Sequence, residues 1–348
     1  MKKNLFIITI ALPAALVVQA QDQLYNNGAG LYIASSGALC IRGSFTNTGT
    51  GVNLQNNGTL TVTGHITNDQ LMSAYTGKLV LDGNTSQHLG GTADMLTKDL
   101  EIDNAAGIIL NAKLKVDGMA TLTNGIILAA STAAPLWFTA NATYTGASDA
   151  AHVNGYVVKE GTGSFTYPVG DGIRYEQVKV AASANAKGIE VKYIPDDAGA
   201  APFGTTGASS TPLQYYNAKE YWNINPVSTA AGTVTVYWNG YNNVGITNTS
   251  HLAVAHKYGG YWLNEGAVDV TGTITAGHVT SASMNTWGPF TLGSLSSLST
   301  LPLTWLSISS ILNANKQALI SWQVNEWNVV AYQVEKAPMP GSSQPSAG

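Results

Sequence analysis

A degenerate repeat near the N-terminus constrains the fold of this chain more than any other feature. Residues 36–47 read SGALCIRGSFTN and residues 57–68 read NGTLTVTGHITN, so the two segments match at an offset of 21 residues. The matched columns hold two glycine positions, one asparagine position and alternating apolar residues. Each copy has the pattern of a short strand that ends at a glycine. Such a unit buries its apolar side only by stacking on further copies, which is how a β-solenoid is built.

Two further segments carry the same pattern. Residues 77–83 read GKLVLDG and residues 112–118 read AKLKVDG. A rung of about 20 residues is typical of a parallel β-helix with glycine and asparagine at its corners. The alternative is an ordinary β-sandwich whose hairpins resemble one another. We favour the solenoid, because the matched columns keep a constant order.

The remaining sequence predicts antiparallel β-structure. Short runs rich in Val, Ile, Thr and Tyr alternate with turn residues between 151 and 298, as in a β-sandwich. Three more strand-like runs follow at 303–307, 318–322 and 331–335. The predicted fold is therefore all-β, an N-terminal parallel β-helix-like solenoid followed by antiparallel β-sandwich modules. The predicted divisions are 1–20 signal peptide, 21–150 solenoid, 151–298 sandwich, 301–337 partial immunoglobulin/fibronectin-like module and 338–348 disordered tail. Three of about seven strands do not close a sandwich, so we expect this sequence to stop partway through that last module.

The first 20 residues have the three parts of a secretory signal peptide. Lys2 and Lys3 precede an apolar run, and Val18 and Ala20 provide the small residues that a signal peptidase recognises. We therefore expect an exported chain beginning at Gln21, located outside the cell and without a membrane span after cleavage. The alternative is a buried N-terminal helix.

Charge and cysteine content narrow the functional classes. Only 10% of residues are charged and the net charge is −4, which gives no electrostatic basis for binding nucleic acid. Cys40 is the single cysteine, so no internal disulfide is expected.

Several motifs resemble those of secreted Bacteroidota surface proteins of the type IX secretion group. The C-terminal run contains Pro302-Leu303, Trp322, Glu326, Asn328 and residues 332–336 (YQVEK) in the order found in that group. Residues 163–171 (GSFTYPVGD) and 220–224 (EYWNI) also resemble it. The resemblance implies export and surface attachment through a C-terminal sorting domain, but nothing after Lys336 resembles that domain. It implies no catalytic or binding residues.

Acidic residues give the candidate metal sites. The repeat alignment puts Arg42, Thr63, Asp82 and Asp117 in one column before the corner glycine, and Asp171 lies in another Asp-Gly turn. Stacked carboxylates could bind Ca²⁺ or act in acid–base chemistry. The alternative, which we favour, is that an Asp before Gly makes the turn by bonding its own backbone. We therefore expect no cofactor, with Ca²⁺ at Asp82, Asp117 or Asp171 as the weak alternative.

Aromatic residues give the candidate ligand site. They concentrate between 215 and 262, and exposed rings on a sheet can stack on sugars. The candidate glycan-binding residues are Tyr237, Tyr241, Tyr258, Tyr261 and Trp262. The alternative is that these rings pack in the sandwich core, as expected for Trp238, which shares a face with Val234 and Val236.

These observations predict a non-catalytic exported cell-surface structural or adhesin-type protein. Its expected partners are the export machinery and surface glycans or host/matrix proteins. The alternative is a carbohydrate-active protein, either a glycan-binding module or a β-helix enzyme that degrades polysaccharides. A spacer without a ligand is a third reading.

Overall fold

The protein is an all-β molecule, as the sequence predicts. The computed structural model describes residues 17–50, 54–70, 72, 76–185, 187–241, 245–296, 304–312, 315 and 318–325. A parallel β-solenoid of about six turns is followed by antiparallel sheets. A single turn of 3₁₀ helix, Thr249–His251, is the helical element in these ranges. None of the described residues forms a helix long and apolar enough to cross a membrane.

Eighteen short strands build the solenoid by parallel pairing. They are β1 (Val17–Asn27), β2 (Leu31–Ile33), β3 (Ala38–Thr48), β4 (Leu54–Asn56), β5 (Thr59–Val62), β6 (Ile66–Asn68), β7 (Lys78–Leu81), β8 (Gln87–Gly90), β9 (Met95–Thr97), β10 (Asp99–Asp103), β11 (Ile108–Leu110), β12 (Leu114–Val116), β13 (Met119–Asn124), β14 (Ile127–Ala129), β15 (Leu136–Phe138), β16 (Thr143–Thr145), β17 (Val153–Gly155) and β18 (Val157–Lys159). One face stacks β3, β5, β7, β10, β13 and β16, and another contains β9, β12, β15 and β18.

The repeat alignment is confirmed for its first three copies. Leu39 is paired with Leu60 and Leu60 with Leu79 in register, and Asn47 with Asn68. The fourth copy was assigned wrongly. Residues 114–116 form β12 on a different face, and β10 is the strand that continues the first stack. Strands on every face share the alternation of buried and outward residues, so pattern alone does not distinguish one face from another.

A ladder of buried asparagines lines one corner of the solenoid. The Asn26 amide donates to Asn47 Oδ1 and the Asn47 amide to Asn68 Oδ1, both at 2.9 Å. The Asn68 amide then donates to the carbonyl oxygens of Gln70 and Asp94. Buried polar groups need such hydrogen-bond partners because they no longer form hydrogen bonds with water. The asparagine column of the repeat is therefore a structural corner.

Eleven strands form the antiparallel part. They are β19 (Gly163–Tyr167), β20 (Val178–Asn185), β21 (Ile189–Ile194), β22 (Tyr215–Tyr216), β23 (Tyr221–Pro226), β24 (Ala230–Trp238), β25 (Leu252–Tyr258), β26 (Tyr261–Asn264), β27 (Asp269–Gly272), β28 (Gly277–Thr280) and β29 (Gly288–Ser294). One sheet has the order β19-β20-β24-β28-β27. The other, β26-β25-β29-β23-β21, continues directly into β18, β15, β12 and β9 of the solenoid.

The solenoid and the sandwich share one apolar core. A single cluster of buried side chains extends from Ile33 in the solenoid to Leu292 in β29. Phe165 of β19 covers the last rung, with its ring centre 5.3 Å from that of Phe138 and 5.6 Å from that of Tyr144. Parallel pairing extends to Lys159, nine residues past the predicted division at 150.

A separate antiparallel hairpin follows, formed by β30 (Thr304–Leu312) and β31 (Ala318–Asn325). The third strand predicted at 331–335 lies outside the described residues, as does the predicted tail. Of the predicted signal peptide, residues 1–16 also lie outside them, and β1 begins at Val17.

Candidate ligand-binding cleft beside Trp137

A row of side chains aligned across neighbouring strands crosses the boundary between solenoid and sandwich. Leu96, Lys115, Trp137, Val158 and Glu190 are aligned in register on five neighbouring strands. In β15 the two flanking side chains, those of Leu136 and Phe138, are fully buried. Alternation along the strand therefore directs the Trp137 indole outward, where it is half-buried.

Trp137 is held by a small polar network. Its Nε1 donates to Glu160 Oε1 at 2.7 Å, and Lys115 Nζ contacts the same oxygen at 2.9 Å. The ammonium groups of Lys113 and Lys115 lie 4.9 and 5.5 Å from the centre of the indole ring. Cations near an aromatic face are attracted by its quadrupole. The ring is therefore fixed in place before any ligand arrives.

An open cleft lies on the β18 side of Trp137. Its volume is about 530 Å³, within the range of small-ligand sites. The lining residues are Trp137, Ala140, Glu160, Gly161, Asn185, Lys187 and Val227. Lys113 and Lys115 approach the indole from β12 and the residue before it, and the Lys115 ammonium reaches Glu160 at the cleft. We call this site the Trp137 cleft.

The loop walls of the cleft are tied together by hydrogen bonds. The Asn185 amide donates to the carbonyl oxygens of Lys159 and Gly161, and its Oδ1 accepts from the Gly188 amide. Lys159 Nζ donates to the carbonyl oxygens of Thr139 and Ala140. Burial lowers the pKa of Lys159. These bonds give the cleft a preformed shape.

The surroundings of the cleft carry a positive charge balance. Six lysines and four acids lie at or beside this face: Lys98, Lys113, Lys115, Lys159, Lys187, Lys192, Asp94, Asp117, Glu160 and Glu190. Lys98 is paired with Asp117, Lys113 with Asp94 and Lys115 with Glu160. The difference, 6 − 4 = +2, contrasts with a net charge of −4 for the whole chain. Lys187 is exposed and forms no ion pair within the described ranges.

The aromatic residues predicted to bind glycans are spread over three places. Tyr258 and Tyr261 are a cross-strand pair at the β25–β26 turn, about half exposed. Tyr241 is exposed and lies under the Arg174 guanidinium. Tyr237 is half-buried against His278 on the smaller sheet. They do not form one continuous platform.

Trp262 is buried in a second, smaller apolar cluster with Leu213, Ala253 and Ala255. Its side chain is fully buried, stacks on Tyr216 at 4.3 Å and donates from Nε1 to the Gly199 carbonyl oxygen. The segment before β22 covers it, with Pro202 and Gly204 bonded to the Trp262 backbone. The strand pattern does not predict this cover. No ring surface of Trp262 is left for a ligand.

The predicted acidic residues are not brought together. Asp82 is exposed, Asp117 lies on another face between Lys98 and Thr139, and Asp171 accepts bonds from the Ile173 and Arg174 amides of its own turn. A hydrogen bond from Thr139 lowers the pKa of Asp117. In the described part of the chain, no three His, Cys, Asp or Glu residues are placed to hold a metal ion.

A buried histidine–glutamate pair is the strongest alternative site. His256 Nδ1 lies 2.9 Å from Glu265 Oε1, and the imidazole stacks on Phe290 with 4.1 Å between ring centres. Burial alone would raise the pKa of Glu265, but hydrogen bonds from His256 and the Ala208 amide lower it. The His256 side chain is fully buried, so a ligand has no approach to it. The pair stabilises the inner face of the sheet.

Two of the motifs behind the family resemblance, at 163–171 and 220–224, lie in the core or at the junction, whereas most of the C-terminal motif at 302–336 lies outside the described residues. Trp222 is fully buried and donates to the Glu176 carbonyl oxygen, while Glu220 accepts from Tyr193. Val169 forms a parallel bridge with Val153, which ties the 163–171 segment to the solenoid. In this chain both motifs are packing elements.

Sequence reasoning missed Trp137 because it lies between Leu136 and Phe138 in an apolar triplet. One signal for Trp137 is present in the sequence. Trp137 lies 22 residues, or about one rung, after Lys115, and Lys115 belongs to a strand in which apolar and charged residues alternate. Glu160 and Lys187 approach Trp137 only through the fold.

Comparisons of the chain with protein-family models, curated proteins and solved structures found no match. Its function is therefore inferred from its own residues and geometry.

Proposed function

We propose that this chain is a non-catalytic exported protein of the cell surface with a structural or adhesin-type role. The observation that carries the proposal is the sheet shared by solenoid and sandwich, together with their common apolar core. A shared sheet and core make the two parts one stiff body. Such a body holds an outer face at a fixed distance from its point of attachment, which is what an adhesin or a surface scaffold requires.

The export route belongs to the same proposal. Its support is the signal-like segment at 1–20 and the resemblance to secreted Bacteroidota proteins of the type IX group. The partners proposed are the export machinery, surface glycans and host/matrix proteins.

The test is to express the full chain in a bacterium with a type IX secretion system and to measure its labelling by antibody on intact cells. Labelling that disappears when residues 1–20 are deleted supports the proposal. A chain found only in lysed cells would contradict it. The attachment of cells that display the chain is then compared with that of cells that do not, on glycan-coated and matrix-coated surfaces. Stronger attachment of the displaying cells indicates an adhesin, and equal attachment indicates a scaffold.

A second candidate function is glycan binding, with or without degradation. The Trp137 cleft favours it, because a fixed aromatic ring beside charged and amide groups is the combination that recognises sugars. Release of reducing ends from a polysaccharide would identify an enzyme and would overturn the non-catalytic assignment.

A further inference from the structure

We infer that the Trp137 cleft binds an anionic polysaccharide, with one sugar ring against the indole and a carboxylate or sulfate group at Lys187. This inference names a ligand class for the adhesin-type role and in that respect rests on the proposed function. The binding step itself is a property of the purified chain, independent of where the chain is located.

The aromatic ring supplies the first part of the argument. Trp137 is the outward aromatic residue in the row that crosses the junction, and its indole is held by Glu160, Lys113 and Lys115. A ring that is already immobilised loses little conformational entropy when a sugar stacks on it. Its apolar face suits the C–H face of a pyranose.

The charged residues around the cleft favour an anionic ligand. Glu160 already accepts from Trp137 and Lys115, so its negative charge is largely compensated. Lys187 lines the same cleft, is exposed, and forms no ion pair with a described residue. The balance of +2 around Trp137 attracts anions, although the whole chain is acidic.

The open shape of the Trp137 cleft favours a polymer as the ligand. The cleft is open to solvent and lies between Ala140, which follows β15, and Lys187, which follows β20. An open groove admits an internal segment of a long chain, whereas a closed pocket admits only an end. A polymer can therefore cross the cleft and continue over the neighbouring lysines of the same face.

The experiment measures binding of the full chain to three soluble polymers by affinity electrophoresis and titration calorimetry. The polymers are polygalacturonate, which carries carboxylates, dextran sulfate, and neutral dextran. We expect binding to one or both anionic polymers and none to dextran. The two anionic arms show whether a uronate or a sulfate is the preferred group.

The variants are Trp137→Ala, Trp137→Phe and Lys187→Ala, with Lys219→Ala and Tyr25→Ala as controls on exposed residues that do not line the cleft. Trp137→Ala should weaken binding about 3- to 10-fold, the contribution of one stacked ring. Lys187→Ala should weaken it about 2- to 5-fold and reduce its salt dependence. Trp137→Phe retains a stacking ring and should lose less than Trp137→Ala. Because Lys187 is exposed, its variant tests the site even where Trp137→Ala fails to fold.

Equal binding of dextran would overturn the inference, as would binding to none of the polymers. An equal loss in Lys219→Ala would also overturn it, because it would indicate non-specific charge attraction. If the purified chain binds as expected but intact cells are not labelled, the surface assignment fails and the cleft assignment stands.

Discussion

Val157, in the last parallel strand of the solenoid, is paired in register with Val191, in the neighbouring antiparallel strand β21. Both side chains are fully buried in the common core. The sheet therefore changes from parallel to antiparallel pairing without a break, and β18 leaves no free edge at this end of the face. Solenoids need a terminal cap, and here the sandwich provides one.

The shared core predicts that solenoid and sandwich unfold together. Val191→Ala removes buried methyl groups at the junction and should lower the free energy of unfolding by about 2 kcal/mol. Urea unfolding followed by circular dichroism and tryptophan fluorescence should show one transition, displaced by the same amount with both probes. Val268→Ala, at a mostly exposed position, is the matched control. Two separate transitions, with only one displaced, would contradict a common core.

The asparagine ladder predicts that removing one amide side chain lowers the free energy of unfolding substantially. Asn47→Ala removes the donor to Asn68 Oδ1 and one of the two acceptors of the Asn26 amide, which keeps the Ala29 carbonyl oxygen. Each unsatisfied buried group costs about 1–3 kcal/mol, so the expected loss in the free energy of unfolding is about 1–3 kcal/mol. Asn84→Ala, at an exposed turn, should change it by less than about 0.5 kcal/mol. Similar urea midpoints for the two variants would show that the ladder does not stabilise the fold.

The corner glycines predict a steric effect. A Cβ atom on Gly58 would lie 2.1 Å from the Gly37 carbonyl oxygen, on the rung below it. Gly58→Ala must therefore separate two stacked rungs, at a cost of about 1–3 kcal/mol. Gly240→Ala is the control, since no atom lies within 4 Å of its added Cβ. The measurement is the melting temperature of each variant. A Gly58→Ala variant as stable as Gly240→Ala would contradict the close contact between stacked rungs.

Structural features that depend on short, regular spacing can be predicted from the sequence. Features that depend on how distant segments of the chain pack together cannot. Leu39 and Leu60 were matched because a parallel rung repeats every 21 residues in that region. The next rungs are 19 to 21 residues apart, at Thr59, Lys78 and Asp99, and by then three faces carry similar strands. For that reason residues 114–116 were assigned to the first stack.

The candidate site was harder to predict for a related reason. Trp137 has apolar neighbours in sequence, and its partners Lys115 and Glu160 lie one rung away on either side. Trp262 shows the opposite case, because a segment nearly 60 residues earlier covers a ring that strand alternation alone leaves outside. Only the tertiary fold decides which aromatic rings remain accessible.

A buried carboxyl group at the junction predicts an unusual pH dependence. Glu176 is 5% exposed; its Oε2 accepts from the Asn239 amide, and its Oε1 has no hydrogen-bond partner among the described atoms. Burial, reinforced by the charges of Asp171 and Asp149, raises the pKa of Glu176 above its ordinary value of 4.5, against the opposing bond from Asn239. A group whose pKa is raised on folding binds its proton more tightly in the native state. Its contribution therefore lowers stability as the pH rises from about 4.5 through the raised native pKa.

Replacement of this carboxyl group by an amide tests the sign of that effect. Glu176→Gln keeps the shape and an acceptor for Asn239 but cannot ionise, so it should be more stable than the unmodified chain at pH 7. The difference should shrink as the pH is lowered towards 4.5, because protonation of the carboxyl group in the folded chain removes the buried charge. Urea unfolding at half-unit pH steps measures this, with Asp103→Asn at an exposed position as control. A Glu176→Gln variant that is less stable by the same amount at every pH would contradict this account, because the effect would then not follow the ionisation of the carboxyl group.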